Sequence, residues 1–594
     1  MARWWGAITL VGILVSAVAP VGAEPPSAGP PESPLLRIET GQHAAPINQL
    51  VVDRQGRFLA SVSDDKTVRL WTLPDGRLFD TLRVPIGTGL EGALYTAALS
   101  PDGSALVAAG YTGPSWDGAA CLYLFDLDQR RLKGRLANLP AVVTRLAYSP
   151  DGQRIAATLF GTAGLRVWDS SGKPVAADAD YGDSATALAF DSSGRLVVAA
   201  QDGMLRRYDA GFVLRDKVQL PGGRKPHSLA FSPDGTLLAV GYEDDLRVDV
   251  LRTRDLTPAY APSTAGLKLG SLGAVAWVPR PDGAVDLVAG GTAAKAAKNG
   301  GGFLIRRWDQ AGRGKAHDVV VTRDTIMDLQ PGADGAVLFA SAEPAWGRVE
   351  ADGAISLASR GGLADFRDLA AGRFAVAADG LTVEFGSERG GRHPLRFDVR
   401  QQDLSEAPKP DAALVPPLTR HPRMNVESWH DSSSPKLASG TPLALGKGEH
   451  ALSLALTPDG GRGLIGGDYA LHLYEADGRV VATRSVPAAA WGVAVAGNGR
   501  LAVAALGDGT LRWYDLAPGH ELEERAALFV ADAGKTWVAW SPEGFFSHSP
   551  GGERRLGYHL NHGKAKPPDF IPIDQTYQAY YSPRLVALKL QGDP

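Results

Sequence analysis

Only one cysteine, Cys121, occurs in the 594 residues. The chain therefore forms no internal disulfide, no zinc site that needs two thiolates and no iron–sulfur cluster. An excess of one charge is missing too. Lys and Arg total 61 against 65 Asp and Glu, a net charge of −4, so the basic field expected for nucleic-acid binding is lacking. The densest basic cluster, RRLKGR at 130–135, is short and follows Asp126 and Asp128. Beyond residue 23 no run is apolar enough to span a bilayer. Neither a Gly-x-Ser-x-Gly nucleophile elbow nor a Gly-x4-Gly-Lys-Ser/Thr phosphate loop occurs. What is abundant is chain breakers, 71 Gly and 41 Pro. That density favours many short strands and turns over long helices.

The first 23 residues read as an address. Arg3 precedes an apolar run from Trp4 to Ala19, and Val21-Gly22-Ala23 offers small residues before a cut. This is the anatomy of a secretory signal peptide. The run is shorter than the roughly 20 residues a spanning helix needs, which favours cleavage over a retained anchor. Residues 24–35 form a Pro-rich spacer. The mature protein is expected to be exported, periplasmic or extracellular, and free of the membrane after cleavage.

One phrase recurs through the remainder. Its turn appears as Asp53-Arg-Gln-Gly56, Ser100-Pro-Asp-Gly103, Ser149-Pro-Asp-Gly152, Asp191-Ser-Ser-Gly194, Ser232-Pro-Asp-Gly235 and Thr457-Pro-Asp-Gly460. Pro pre-sets φ, Asp caps the turn and Gly accepts a positive φ. The closing strand is equally recurrent and ends on an aromatic at Trp71, Phe125, Trp168, Tyr208, Trp308, Tyr474 and Tyr514, with one degenerate copy, Leu246-Arg-Val-Asp249. A spacing near 40 residues with about four strands per unit is the signal of a β-propeller of WD-type repeats. Residues 36–310 resemble WD-repeat proteins most strongly. The first unit has Gly41-Gln-His43, Ser61, Asp65 and Trp71, and the resemblance implies a buried His–Ser–Asp–Trp hydrogen-bonded set there. The expected fold is all-β: a propeller of about seven blades over 36–360, then a second, degenerate one over 361–530 with an insertion at 404–422. A short, irregular, aromatic-rich cap follows at 531–594.

The C-terminal part carries a narrower pattern. Trp537-Val-Ala-Trp540-Ser-Pro-Glu-Gly-Phe-Phe546 is followed by Ser549-Pro-Gly-Gly-Glu553, Gly557-Tyr-His-Leu-Asn561 and Tyr580-Tyr-Ser-Pro583. These spaced motifs resemble the segment that several bacterial proteins place between WD-like propellers and a caspase-like protease domain. Tyr558 and His562 depart from that group's usual Trp and Arg. The resemblance implies the non-catalytic half of such an architecture, because the sole thiol lies in Ala120-Cys121-Leu122, inside a repeat strand. A buried strand is a poor place for a reactive thiolate.

No catalytic residue, metal ligand or cofactor is expected. His548, Glu553, His559 and His562 cluster in sequence, yet Gly557 and Gly563 break the helix that an i, i+3 ligand pair needs. Gly182-Asp-Ser184 falls in an inter-blade loop. The Gly- and Lys-rich stretch 290–302 reads as a blade insertion. Arg residues in the closing strands alternate with apolar ones and so face solvent or an ion pair. Trp537, Trp540, Phe545, Phe546, Tyr558, Tyr580 and Tyr581 read either as a small core or as a protein-docking surface. The leading expectation is an exported, non-enzymatic scaffold for a protein partner, a caspase-like protease or its substrate. The alternative is a periplasmic sensor or small-ligand-binding propeller.

Overall fold

The computed structural model describes residues 29–591 apart from 222–223, 296–301, 361, 370–372, 408 and 447. The expected leader at 1–23, most of the first half of the spacer and part of 290–302 lie outside the described residues. The protein is all-β, with twelve antiparallel sheets among the described residues, eight of them four-stranded, and short helices near the C-terminal end. Among the described residues no helix is long and apolar enough to cross a membrane.

Seven consecutive sheets form a ring: blades 1 to 7 span 47–83, 93–139, 143–178, 185–219, 226–260, 274–322 and 326–360. Within a blade, tight turns join the strands. The glycines of the recurrent turns, Gly56, Gly103, Gly152, Gly194, Gly235 and Gly460, take φ between 64° and 81°, the region a side chain penalises. Between blades, the seams are apolar. Each closing aromatic lies in the seam toward the preceding sheet: Phe125 with blade 1, Trp168 with blade 2, Tyr208 with blade 3 and Trp308 with blade 5. Tyr474 and Tyr514 are buried in the same way further along the chain. At Gly241 a Cβ would stand 2.2 Å from the Gly273 carbonyl, so blades 5 and 6 approach too closely for any side chain there.

Inner strands of neighbouring blades share no backbone ladder. Six of the seven carry a register shift near their start, for instance between Ile47 and Gln49 and between Ile326 and Asp328. Each inner strand is an edge of its sheet, so N–H groups on its free side have no ladder partner, and side chains of the adjacent blade take them up. Ala97 N donates to Gln49 Oε1 at 3.0 Å, Leu146 N to Thr96 Oγ1 at 2.9 Å and Val275 N to Ser228 Oγ at 3.0 Å. The ring closes by the same device, because Leu50 N donates to Asp328 Oδ2 at 2.9 Å. Beside that bond the rings of Trp71 and Trp346 meet at 5.5 Å, so blades 1 and 7 share an apolar seam.

The two-propeller expectation meets one seven-sheet ring and a second, smaller set of sheets. That set comprises 374–406, a three-stranded sheet over 420–437, 451–485 and a six-stranded sheet over 490–548. Its core joins the first and last of these, with Phe366, Phe385 and Phe397 against Trp513 and Trp537. The expected insertion at 404–422 is not wholly irregular. Its ends lie in strands Asp403–Glu406 and Arg420–His421, and Val415 bridges Val376. Nor is the C-terminal segment a separate irregular cap. Thr536–Trp540 and Phe546–His548 extend the six-stranded sheet, while Leu556–Leu560 pairs with the N-terminal strand Leu35–Ile38.

Asn561 fastens this interlock to the ring. Its Nδ2 donates to the carbonyls of Pro31 and Ile86, and its Oδ1 accepts from Ile86 N, all at 3.0 Å. Lys564 adds an ion pair with Asp117 at 2.7 Å.

Asp328→Ala leaves the Leu50 N–H buried and unpaired at the closure, which costs about 1–3 kcal/mol. Asp328→Asn keeps an acceptor and retains most of that stability. Urea unfolding midpoints of the two variants measure the difference.

Candidate docking surfaces

The hydrogen-bonded set of blade 1 is built as one unit. His43 Nδ1 lies 2.8 Å from Asp65 Oδ2, and its Nε2 lies 2.7 Å from Ser61 Oγ. Trp71 Nε1 donates to the same Oγ at 2.7 Å. Asp65 also accepts from Ala44 N, Thr67 N and Thr67 Oγ1, so it pins the turn that carries Lys66. Burial opposes the charge of Asp65, but His43, Arg69 and Thr67 outweigh it and hold the carboxyl below its usual range.

The aromatic C-terminal segment divides into an inside and an outside. Trp537 packs against Phe397 at 5.1 Å, and Trp540 and Phe546 lie in the core with Tyr558. Tyr558 Oη donates to the Gly544 carbonyl at 2.8 Å. Burial removes these four from the docking set, because a side chain already enclosed by its own fold offers no surface to a partner. What remains is Phe545, half-buried, beside Tyr580 at 6.0 Å, and a stack of Tyr577 on Tyr581 at 4.2 Å. Tyr577, Tyr580 and Tyr581 are 42%, 36% and 36% exposed. Exposed, mutually supported tyrosines are the composition of an interface anchor.

The other chemically suggestive residues are dispersed or enclosed. Cys121 is fully buried, and burial pushes its thiol up to about 11, so it is no thiolate at neutral pH. His559 approaches Asn561, His562 approaches Asp569 and His548 approaches Ser549 O. Among the described residues no group of three or more His, Cys, Asp or Glu is placed to hold a metal. Ser184 is buried, and its Oγ accepts from Gly161 N. The strand arginines are paired: Arg206 with Asp202 at 2.7 Å, Arg306 with Asp318 at 2.7 Å and Arg512 with Glu524 at 2.9 Å.

Across the ring's interior, non-adjacent blades come into contact. His227 of blade 5 reaches the Met327 carbonyl of blade 7 at 3.5 Å. Burial and the neighbouring Arg145 lower His227 to about 4, so it is neutral at pH 7.

Residues 35–72 match the family model described as WD domain, G-beta repeat. The fold is a WD-type β-propeller. The chain is 28% identical over 211 residues to Telomerase protein component 1 of Rattus norvegicus, covering 35% of this chain and 8% of that one. It is 25% identical over 232 residues to Eukaryotic translation initiation factor 3 subunit I of Aspergillus fumigatus, covering 34% of this chain and 62% of the subunit. WD repeat-containing protein SL1-17 of Schistosoma mansoni is 26% identical over 169 residues, covering 27% and 49%. The matched part thus spans less than two thirds of each of these relatives. WD-type propellers are mostly non-catalytic platforms.

The depressed carboxyl of Asp65 contributes stability above its unfolded value of about 3.9. That contribution is lost as pH falls through the lower folded value. Asp65→Asn should therefore lower the thermal midpoint at pH 7, and the gap to wild type should begin to narrow only below about pH 4. A melting series across pH 3–8 reads this directly.

Proposed function

We propose that this chain is an exported, non-enzymatic scaffold whose C-terminal tyrosine patch holds a protein partner, a caspase-like protease or its substrate. The observation that carries the reading is the stacked, exposed Tyr577–Tyr581 pair beside Tyr580. It stands on a rigid six-stranded sheet, at the end of the segment that resembles the region preceding caspase-like domains. The WD-type ring supports a platform role. The apolar run at 4–19 supports export. A small ligand in the ring channel would have to displace the His227–Met327 contact, which favours the protein-binding reading over a sensor.

The test is a pull-down from the native source with wild type and with Tyr577→Ser/Tyr581→Ser. A partner with a caspase-like domain, or a substrate of one, should be recovered by wild type and lost about tenfold or more by the variant. Both tyrosines also pack against Phe546, so the variant's melting temperature is measured beside the pull-down and loss of the partner counts only with a cooperatively folded variant. Recovery of no partner, with a monomer in solution, overturns the scaffold reading. N-terminal sequencing of the mature protein tests cleavage after Ala23.

A further inference from the structure

Where the N-terminal strand, blade 1, the six-stranded sheet and the C-terminal strand meet, they enclose a cavity of about 40 Å³. That is room for about three waters or one small oxyanion. Its wall is crowded with charge, and the pairing is uneven. Arg69 and Arg83 share Glu39, at 2.8 and 2.5 Å. Arg512 is met by Glu524 at 2.9 Å and by Asp508 at 3.5 Å. Asp65 is engaged by His43.

Two cations are left over. Arg37 donates to the backbone carbonyl of Asp65 at 3.1 Å. Lys66, only 6% exposed, donates to the carbonyls of Gly87 and Gly89 at 2.9 and 2.7 Å. Neither lies in an ion pair with a carboxylate of the described residues. Arg69 Nε is buried without an acceptor.

His559 senses the same surplus. His559 is lowered to about 3, first by burial and then by Arg37, with Arg83 and Lys66 adding to it. Burial pushes the Asp64 carboxyl up to about 7, which withdraws part of its negative charge from the wall at neutral pH. Buried cations persist when a counter-charge and hydrogen bonds compensate their lost hydration.

We propose that this joint is a binding site for one small oxyanion, held by Arg37 and Lys66 with the Arg69 Nε–H as a further donor. Guanidinium and ammonium donors converging on one cavity suit phosphate or carboxylate oxygens. The anion would sit in a cavity lined by four stretches of chain, so its binding would stabilise their union by linkage. This site is independent of the tyrosine patch and of any partner there.

The full chain is titrated with phosphate, and in parallel with acetate, against sodium chloride of equal ionic strength. Calorimetry and the melting temperature are the readouts. The expected result is a saturable 1:1 binding isotherm for at least one of the two oxyanions, with a melting temperature that rises with its concentration. Arg37→Gln and Lys66→Met should each weaken that binding at least tenfold, whereas Arg37→Lys should retain part of it. The exposed Arg254→Gln should behave as wild type. The parallel arms decide between a tetrahedral oxyanion and a carboxylate. Absence of saturable binding by either anion, or an unchanged isotherm in both folded loss variants, overturns the site.

Discussion

A four-stranded sheet has two faces, and in this protein both are apolar over much of their area. No single blade can bury both faces alone, so every blade depends on two neighbours and the first must meet the seventh. The contact that completes the circle joins residues 278 apart, the Leu50 amide and the Asp328 carboxylate. Around it Trp71 and Trp346 fill the last seam. Without closure, blades 1 and 7 would each expose a face as apolar as the interior, and the Leu50 amide on the inner edge would lose its acceptor. Apolar seams supply the bulk of the attraction, and the amide-to-side-chain bonds join the inner edges of neighbouring blades.

The rest of the chain is built onto this closed ring. The N-terminal strand Leu35–Ile38 precedes blade 1 yet pairs with Leu556–Leu560, near the other end of the sequence. Asn561 then imitates a backbone pair with Ile86, donating to its carbonyl and accepting from its amide. Such a joint cannot form until the ring and the six-stranded sheet both exist. Nonlocal pairing of this kind is expected to come late in folding.

Periodicity made the fold class legible. The turn phrase and the closing aromatic are local signals, and each states its own conformation: Gly takes a positive φ, and the aromatic enters a seam. The His43–Ser61–Trp71–Asp65 set was legible for the same reason, as four residue types at family spacing. Asp328 and Trp346 were not. They lie in a unit whose turn and closing strand have lost the phrase, and their partners are set by ring geometry that no local pattern encodes. The aromatic segment shows a different limit. Phe545 and Phe546 are neighbours of the same type, yet only Phe546, which opens strand Phe546–His548, is fully enclosed, and sequence alone does not say which of two adjacent rings the fold covers.

The joint and the seams differ in what fills them, and the difference has a cause. Seams form between strand faces, whose backbone groups are already paired in ladders, so apolar side chains complete them. The joint forms where turns and strand ends meet, such as 63–67 and 508–512, and there backbone carbonyls and charged side chains are unavoidable. Its cohesion therefore rests on charge pairing, which responds to what enters the cavity, while the ring's rests on area, which does not. A platform of this construction keeps its ring shape constant and confines any ligand response to the place where its separately built parts are joined.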